Sequence, residues 1–166
     1  MKKLLLMMLL LLAALPVHAA GGGGMFAQGR TQFSLMAGSA SAFNSNYMLI
    51  GASASYYVLD GLGVGLSLEN WSGADPGITK VSPFAQYVFS LGVSVRPYVG
   101  GFYRHTSISG LPGINSVGGR AGIYIASSPN SSIGIGLVQE TYLDCNEAIY
   151  GSCSSTYSDI SITFGF

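Results

Sequence analysis

The chain has 166 residues, about one domain's worth, and only 8% of them are charged, with seven basic and seven acidic side chains. A soluble domain carries about 25% charged residues, so a water-facing surface would be hard to cover with this composition. The balanced charge also leaves no basic field of the kind that binds nucleic acid, which excludes that class of partner.

The first 19 residues have the pattern of a cleaved secretory signal peptide. Lys2 and Lys3 precede an apolar run over residues 4–15, and residues 17–19 (Val-His-Ala) suit a signal peptidase site. The run is too short for a membrane-spanning helix, which needs roughly 20 residues, and no cysteine follows it to anchor a lipoprotein. We therefore expect cleavage after Ala19, which removes two of the seven basic residues.

Beyond residue 29 the sequence alternates apolar side chains with small or polar ones, in eight segments of about ten residues. In the last segment Ile160, Ile162, Phe164 and Phe166 share one face, and Asp159 lies on the other. Strands of this kind can present an apolar face to lipid and a small, polar face to a narrow lumen. The pattern predicts an all-β fold, an eight-stranded antiparallel up-and-down transmembrane β-barrel.

The predicted domain organisation is a signal peptide over residues 1–19, a flexible glycine-rich leader over 20–29 and the barrel over 30–166. We expect the strands at about Thr31–Ser41, Tyr47–Val58, Leu62–Trp71, Thr79–Phe89, Val93–Arg104, Ser116–Ile125, Ile133–Tyr142 and Tyr157–Phe166. Prolines within the fourth and fifth strands suggest local bulges. The alternative is a soluble β-sandwich, but that fold would expose mostly glycine and serine to water.

Two cysteines, Cys145 and Cys153, remain in the exported chain. An even pair at short spacing in an exported protein predicts a disulfide, and the alternative is two free thiols. A zinc site would need more ligands than lie nearby.

Four charged residues fall in mid-strand on the face predicted to line the lumen: Glu69, Arg96, Arg120 and Glu140. Three more charged residues share that face nearer the strand ends: Lys80, Arg104 and Asp159. Enclosed charges are costly unless they are paired, so we expect Arg120 to bridge Glu140, with Glu69 as a further candidate. A packed polar plug is the favoured interpretation, and an ion pathway is the alternative.

The chain resembles the small eight-stranded outer-membrane barrels of the OmpX and OmpA transmembrane-domain type. The resemblance rests on the signal peptide, the strand–turn rhythm, residues 95–101 (Val-Arg-Pro-Tyr-Val-Gly-Gly) and the ending over residues 160–166. That ending is similar to the terminal signal read by the barrel assembly machinery, which implies that Ile160, Ile162, Phe164 and Phe166 act as an assembly signal. Such a fold does not by itself imply a function.

A second resemblance concerns His105 and Ser107, which match the His-x-Ser spacing of lipid A 3-O-deacylases, also eight-stranded outer-membrane barrels. A hydrolytic triad needs a base that activates the hydroxyl and an acid that orients the base. The position of the family's acidic residue corresponds to Asn115 here, and Ile108 stands where an Asn is expected. We expect these residues to lie in an ordinary polar external loop over residues 105–114.

Together these features predict a non-enzymatic integral protein of the bacterial outer membrane, with both termini in the periplasm and no cofactor or metal. The expected role is structural or in surface interaction, and the alternatives are a lipid A-modifying hydrolase built on His105 and Ser107 or a narrow channel. The expected partners are outer-membrane lipids, lipopolysaccharide and, during biogenesis, the barrel assembly machinery. We expect a monomer.

Overall fold

The computed structural model describes residues 24–42, 45–91, 94–143, 145–146 and 152–166. These residues form eight strands, β1 Thr31–Ala42, β2 Ser45–Leu59, β3 Leu62–Ser72, β4 Ile78–Val88, β5 Val95–Ile108, β6 Ile114–Ser128, β7 Ser131–Tyr142 and β8 Ser154–Gly165. Each strand is antiparallel to its neighbours, and β1 pairs with β8, so the sheet closes into an up-and-down barrel. The predicted fold class is confirmed.

The predicted signal peptide and residues 20–23 lie outside the described residues. Within the described ranges, the protein contains no helix long and apolar enough to cross a membrane.

Side chains alternate across the barrel wall as the sequence predicts. The outer face carries large exposed apolar side chains on every strand, for example Leu35, Ile50, Leu68, Tyr87, Val99, Ile123, Ile135 and Ile160. The inner face of the same strands carries glycine, serine, aromatic and charged residues. In β8 and the residue that follows it, Ile160, Ile162, Phe164 and Phe166 are 41–60% exposed, whereas Asp159 is only 4% exposed. The assignment of outward and inward residues that the sequence predicts for the last strand is therefore confirmed.

The fifth and sixth strands extend further than the sequence suggested. β5 continues to Ile108 and β6 begins at Ile114, so the connection between them spans only residues 109–113. The pairing of His105 with Asn115 continues the β5–β6 ladder through the residues expected to form a loop. The loop prediction was wrong because inward Thr106 and Ile108 continue the alternation of β5, and the polar outward residues His105 and Ser107 made the segment look like a loop.

The prolines in β4 and β5 cause no bulge. Pro83 pairs with Leu66 and Pro97 pairs with Ile123, and the register is the same on both sides of each proline. Within the described strands, the register shifts lie elsewhere, between Tyr57 and Leu59 and between Ala126 and Ser128. The bulge prediction was wrong because a proline interrupts the ladder only on the side where its N–H would donate.

The barrel has two different ends. At one, which we call the terminal end, lie Phe166, residues 24–30 and the tight connections at residues 60–61 and 129–130. At the other, which we call the loop end, lie the connections at residues 73–77 and 109–113 and the two cysteines.

Residues 24–29 fold over the mouth of the barrel at the terminal end, and we call them the terminal plug. Met25 and Phe26 are 4% and 5% exposed, and the Gln32 side chain donates a hydrogen bond of 2.7 Å to the Met25 carbonyl. Gly61, at a φ of 79°, donates its N–H to the Phe26 carbonyl at 2.9 Å. The flexible leader predicted for residues 20–29 is therefore wrong for 24–29, because two apolar side chains are buried in the mouth.

Candidate functional site

The bore of the barrel is filled by side chains and is the most chemically distinctive part of the molecule. From the loop end to the terminal end it contains a buried charged cluster, a separate ion pair and an aromatic layer closed by the terminal plug.

The charged cluster consists of Glu69, Lys80, Arg104 and Glu140, contributed by four different strands. Lys80 Nζ lies 2.8 Å from Glu140 Oε2, and Arg104 Nη1 lies 2.9 Å from the same oxygen. Arg104 Nη2 donates to Glu69 Oε1 at 2.5 Å. None of the four side chains is more than 5% exposed, so each charge depends on these partners for its solvation.

Neutral side chains complete the hydrogen bonding of the cluster. Ser116 donates to Glu140 Oε1 at 2.5 Å, and Arg104 Nε donates to the Ser82 hydroxyl at 2.6 Å. The Lys80 ammonium lies 3.7 Å from the centroid of the Trp71 ring, a cation–π contact. These contacts provide partners for charged groups beyond the ion pairs themselves. A buried charged network is stable only when its donors and acceptors are satisfied in this way.

A second ion pair lies deeper in the bore. Arg120 Nη2 donates to Asp159 Oδ2 at 3.1 Å, and the guanidinium lies 5.5 Å from the ring centroid of Tyr98. Gly122 and Gly136 lie beneath the Tyr98 hydroxyl, where a Cβ atom at either position would collide with it. Small residues on the wall therefore make room for the aromatic ring that fills the bore.

The aromatic layer lies at the terminal end. The ring of Phe26 packs against Tyr57 and Tyr124, with centroid separations of 5.8 and 5.1 Å, and Tyr98 packs on Tyr124 at 4.6 Å. Gln86 donates to the Tyr57 hydroxyl at 2.9 Å. The terminal plug thus extends the packed interior to the mouth of the barrel.

The pairing predicted for Arg120 is wrong. Arg120 pairs with Asp159, whereas Glu140 pairs with Lys80 and Arg104. The register explains this, because Glu140 lies opposite Gly118 rather than Arg120, and the longer β5 places Arg104 well inside the strand. The sequence analysis placed Arg104 at a strand end, and the inward alternation that continues from Arg104 through Thr106 to Ile108 is the signal that could have identified it as a mid-strand residue.

Arg96 was also predicted to belong with Glu69 and Glu140, and that grouping is wrong. Arg96 lies eight positions before Arg104 on the same strand, a separation of about 26 Å. Its guanidinium instead lies 5.2 Å from the Phe26 ring centroid, at the terminal end.

Several aromatic residues near the strand ends line the bore. Tyr47, Tyr57, Trp71 and Tyr157 are each at most 5% exposed. Tyr157 donates to Glu69 and accepts from Arg104, and its ring packs edge-on against Trp71 at 5.1 Å. Whether a ring points into the bore or outward is decided by its place in the inward–outward alternation of the strand, and its nearness to a strand end matters less.

Cys145 and Cys153 are joined by a disulfide, which confirms that prediction. The bond lies at the loop end, in the connection between β7 and β8. Among the described residues, no three His, Cys, Asp or Glu side chains are grouped so as to hold a metal ion.

His105 and Ser107 both lie on the outer face of β5 rather than in a loop. His105 Nδ1 is within 2.8 Å of the Asn115 side-chain oxygen, so the third position of the predicted motif does contact the histidine. The contact partner is an uncharged amide, which stabilises an imidazolium less than a carboxylate would.

Solved structures with the same fold include proteins of bacterial outer membranes. The N-terminal barrel domain of Pseudomonas aeruginosa OprF is similar at a TM-score of 0.65 and 19% identity, covering 84% of this chain and 98% of that one. Neisserial surface protein A is similar at 0.65 and 16%, covering 82% and 96%. Ail, the attachment invasion locus protein of Yersinia pestis, is similar at 0.52 and 16%, covering 84% and 99%.

No protein-family model and no curated protein matches the chain. At these identities the likeness to solved structures establishes the fold. The predicted resemblance to small eight-stranded outer-membrane barrels is therefore confirmed at the level of architecture.

Proposed function

We propose that the chain is an integral outer-membrane protein with a closed bore, acting in envelope structure or surface interaction through its loop end. The proposal rests on the distribution of apolar and charged side chains, which is the reverse of the distribution in a soluble globular protein. The outer face of the described strands is apolar, whereas the six charged side chains that form ion pairs are enclosed in the bore: Glu69, Lys80, Arg104, Arg120, Glu140 and Asp159.

Lipid is the solvent that suits this exterior. A closed barrel satisfies the backbone hydrogen bonds of its strands internally, so it can cross a bilayer without exposing unpaired peptide groups. The outward rows of β3 and β8, such as Leu62 to Leu68 and Ile160 to Phe166, contribute to an apolar band around the barrel. In water the same rows would form a large exposed apolar surface, which monomeric soluble proteins avoid.

The proposed orientation places the terminal end in the periplasm and the loop end outside the cell. Both described ends of the chain lie at the terminal end, as expected for an even number of strands with periplasmic termini. The disulfide then lies outside, in an oxidising environment. Outer-membrane lipids and lipopolysaccharide would surround the band, and the barrel assembly machinery would recognise the C-terminal strand.

We favour a bore filled by packed side chains over an ion pathway, because the positive and negative charges enclosed in the bore are equal in number. Lys80, Arg104 and Arg120 contribute three positive charges, and the acidic partners Glu69, Glu140 and Asp159 contribute three negative ones. A conducting lumen needs mobile ions to replace these pairings, but each pair is held by direct contacts across the bore.

The hydrolase alternative would use His105 and Ser107. Both face outward at the edge of the apolar band, where lipid would be accessible, but Asn115 supplies no charge to orient the base. Purified protein incubated with lipid A should release no fatty acid, with Ser107→Ala as the matched control. Release that disappears in Ser107→Ala would replace the proposed function with an enzymatic one.

Membrane fractionation combined with heat-modifiable gel mobility tests the main proposal. The protein should be recovered with outer membranes and should migrate differently before and after boiling, because a folded barrel resists detergent. Recovery as a soluble periplasmic species without a mobility shift would overturn the proposal.

A further inference from the structure

The seam between β1 and β8 opens towards the loop end. The described ladder between these strands ends at Ser39 opposite Ser158, although β1 continues to Ala42 and β8 begins at Ser154. The diverging strands border a cleft of about 630 Å³ on the barrel wall.

Both sides of the cleft carry polar side chains that are held by hydrogen bonds. On one side Ser41 donates to the Asn46 side chain at 2.8 Å, and on the other Thr156 donates to the side chain of Gln139. Ser39, Ser41, Asn46, Thr156 and Ser158 all line the cleft, and Leu137, 63% exposed, supplies an apolar surface at its membrane-facing edge.

The two polar pairs belong to a ring that surrounds the barrel, which we call the polar collar. Each hairpin with its connection at the loop end has one outward cross-strand pair: Ser41–Asn46, Asn70–Thr79, His105–Asn115 and Gln139–Thr156. Leu68 and Leu137 lie one outward position closer to the middle of the barrel, so the collar begins where the apolar band ends. The cleft is therefore the gap in the collar, at the level of lipid headgroups.

The charge of this region limits what can bind there. The described barrel carries no lysine or arginine on its outer face at the loop end, because Lys80, Arg104 and Arg120 point into the bore, and Arg30 and Arg96 lie at the terminal end. Phosphate recognition in proteins relies on such cations. Hydroxyl and amide groups beside an apolar patch suit an uncharged, hydroxyl-rich headgroup attached to an acyl chain.

We propose that the β1–β8 cleft binds the sugar headgroup of an outer-leaflet glycolipid, with the first part of an acyl chain against Leu137. The sugar hydroxyls exchange hydrogen bonds with Asn46, Thr156 and the serines of the cleft. The proposal rests on the outer-membrane placement proposed above and assigns a lipid class to one position on the wall.

The chain contains its own reporter for this site. Trp71 is its single tryptophan, and its ring packs against Tyr157, which also lines the cleft. A ligand in the cleft should therefore change the fluorescence of Trp71.

The test uses the full mature chain in phosphatidylcholine nanodiscs containing either digalactosyldiacylglycerol or phosphatidylglycerol. Native mass spectrometry counts the lipids retained, and Trp71 emission is recorded in the same samples. We expect the galactolipid to be retained at least about fivefold better than phosphatidylglycerol and to alter the emission. The combined variant Asn46→Ala, Thr156→Ala should lose about fivefold in retention, as expected for lost hydrogen bonds.

Asn70→Ala is the matched control, because it removes a collar residue that lies outside the cleft. Ser39→Leu, which fills the cleft without removing a collar pair, should lower retention like the combined variant. Equal retention of both lipids, or an equal loss in Asn70→Ala, would overturn the proposal. Heat-modifiable mobility of each sample separates this outcome from failure of the barrel itself to insert, which would contradict the proposed function instead.

Discussion

Lys80 and Glu140 form an ion pair across the bore, 2.8 Å between Nζ and Oε2, from strands β4 and β7 that are not neighbours in the sheet. Both side chains are fully buried. A contact between non-adjacent strands ties the barrel together through its interior, in addition to the hydrogen bonds around its wall. The contribution of this ion pair to stability depends on both charges being present, because a buried charge without its partner is strongly unfavourable.

Glu140→Gln should therefore destabilise the barrel by about 3–5 kcal/mol, since Lys80 and Arg104 both lose their shared carboxylate. The free energy of unfolding can be measured by urea titration in lipid vesicles, with folded and unfolded protein separated by gel mobility. The matched control is the double variant Lys80→Met, Glu140→Gln, which restores charge balance. It should be more stable than Glu140→Gln alone, and a purely additive loss would contradict the coupling.

Phe26→Ala should lower the free energy of unfolding by about 3 kcal/mol, because the ring is buried between Tyr57 and Tyr124. Phe33→Ala is the control, since that ring is 42% exposed on the outer face. The control should lose clearly less in the same urea titration. Equal losses would show that the terminal plug contributes no specific packing.

Planar bilayer recordings should detect no stable conductance for the wild-type protein, because the bore is closed by direct contacts at the loop end and by the terminal plug. Arg104→Ala removes the group that joins Glu69 to Glu140 and should raise the frequency of brief openings. A large, steady conductance in the wild type would favour the channel alternative.

Deletion of Phe166 should reduce the amount of folded protein in the outer membrane several-fold, measured by heat-modifiable mobility in cell envelopes. Its backbone exchanges hydrogen bonds with Thr31, donating at 2.9 Å and accepting at 3.3 Å, so deletion affects closure as well as any assembly signal. Phe166→Ala retains the backbone and isolates the aromatic side chain, which is 60% exposed. Normal assembly of Phe166→Ala would contradict the signal interpretation.

Replacing Cys145 and Cys153 by serine should cost about 2–3 kcal/mol of stability, because the bond closes a loop with a sequence separation of only 8 residues. Urea titration with and without reductant measures this. The double variant should be insensitive to reductant, and a wild-type protein equally insensitive would argue that the bond is absent from the mature protein.

The alternation of side chains was enough to predict the number of strands and the face of each mid-strand residue considered, but not the full length of β5 and β6. Ile160 and Asp159 illustrate why, since neighbouring residues of a strand point to opposite sides of a sheet whatever the rest of the fold does. The enclosed position of Glu69, Arg120 and Glu140 followed from that rule alone.

The partners of these charges could not be predicted in the same way. Which inward residues meet depends on register, on strand length and on the contacts that long side chains make across the bore, and none of these is encoded in local periodicity. Lys80 reaches Glu140 from 60 residues away, and Arg120 turns to Asp159 although Glu140 is on a neighbouring strand. The sequence by itself determined an apolar-out, polar-in barrel, because strand parity is a local property. Only the tertiary structure decided the ion pairs, the terminal plug and the open seam, because these depend on how a closed barrel brings distant strands together.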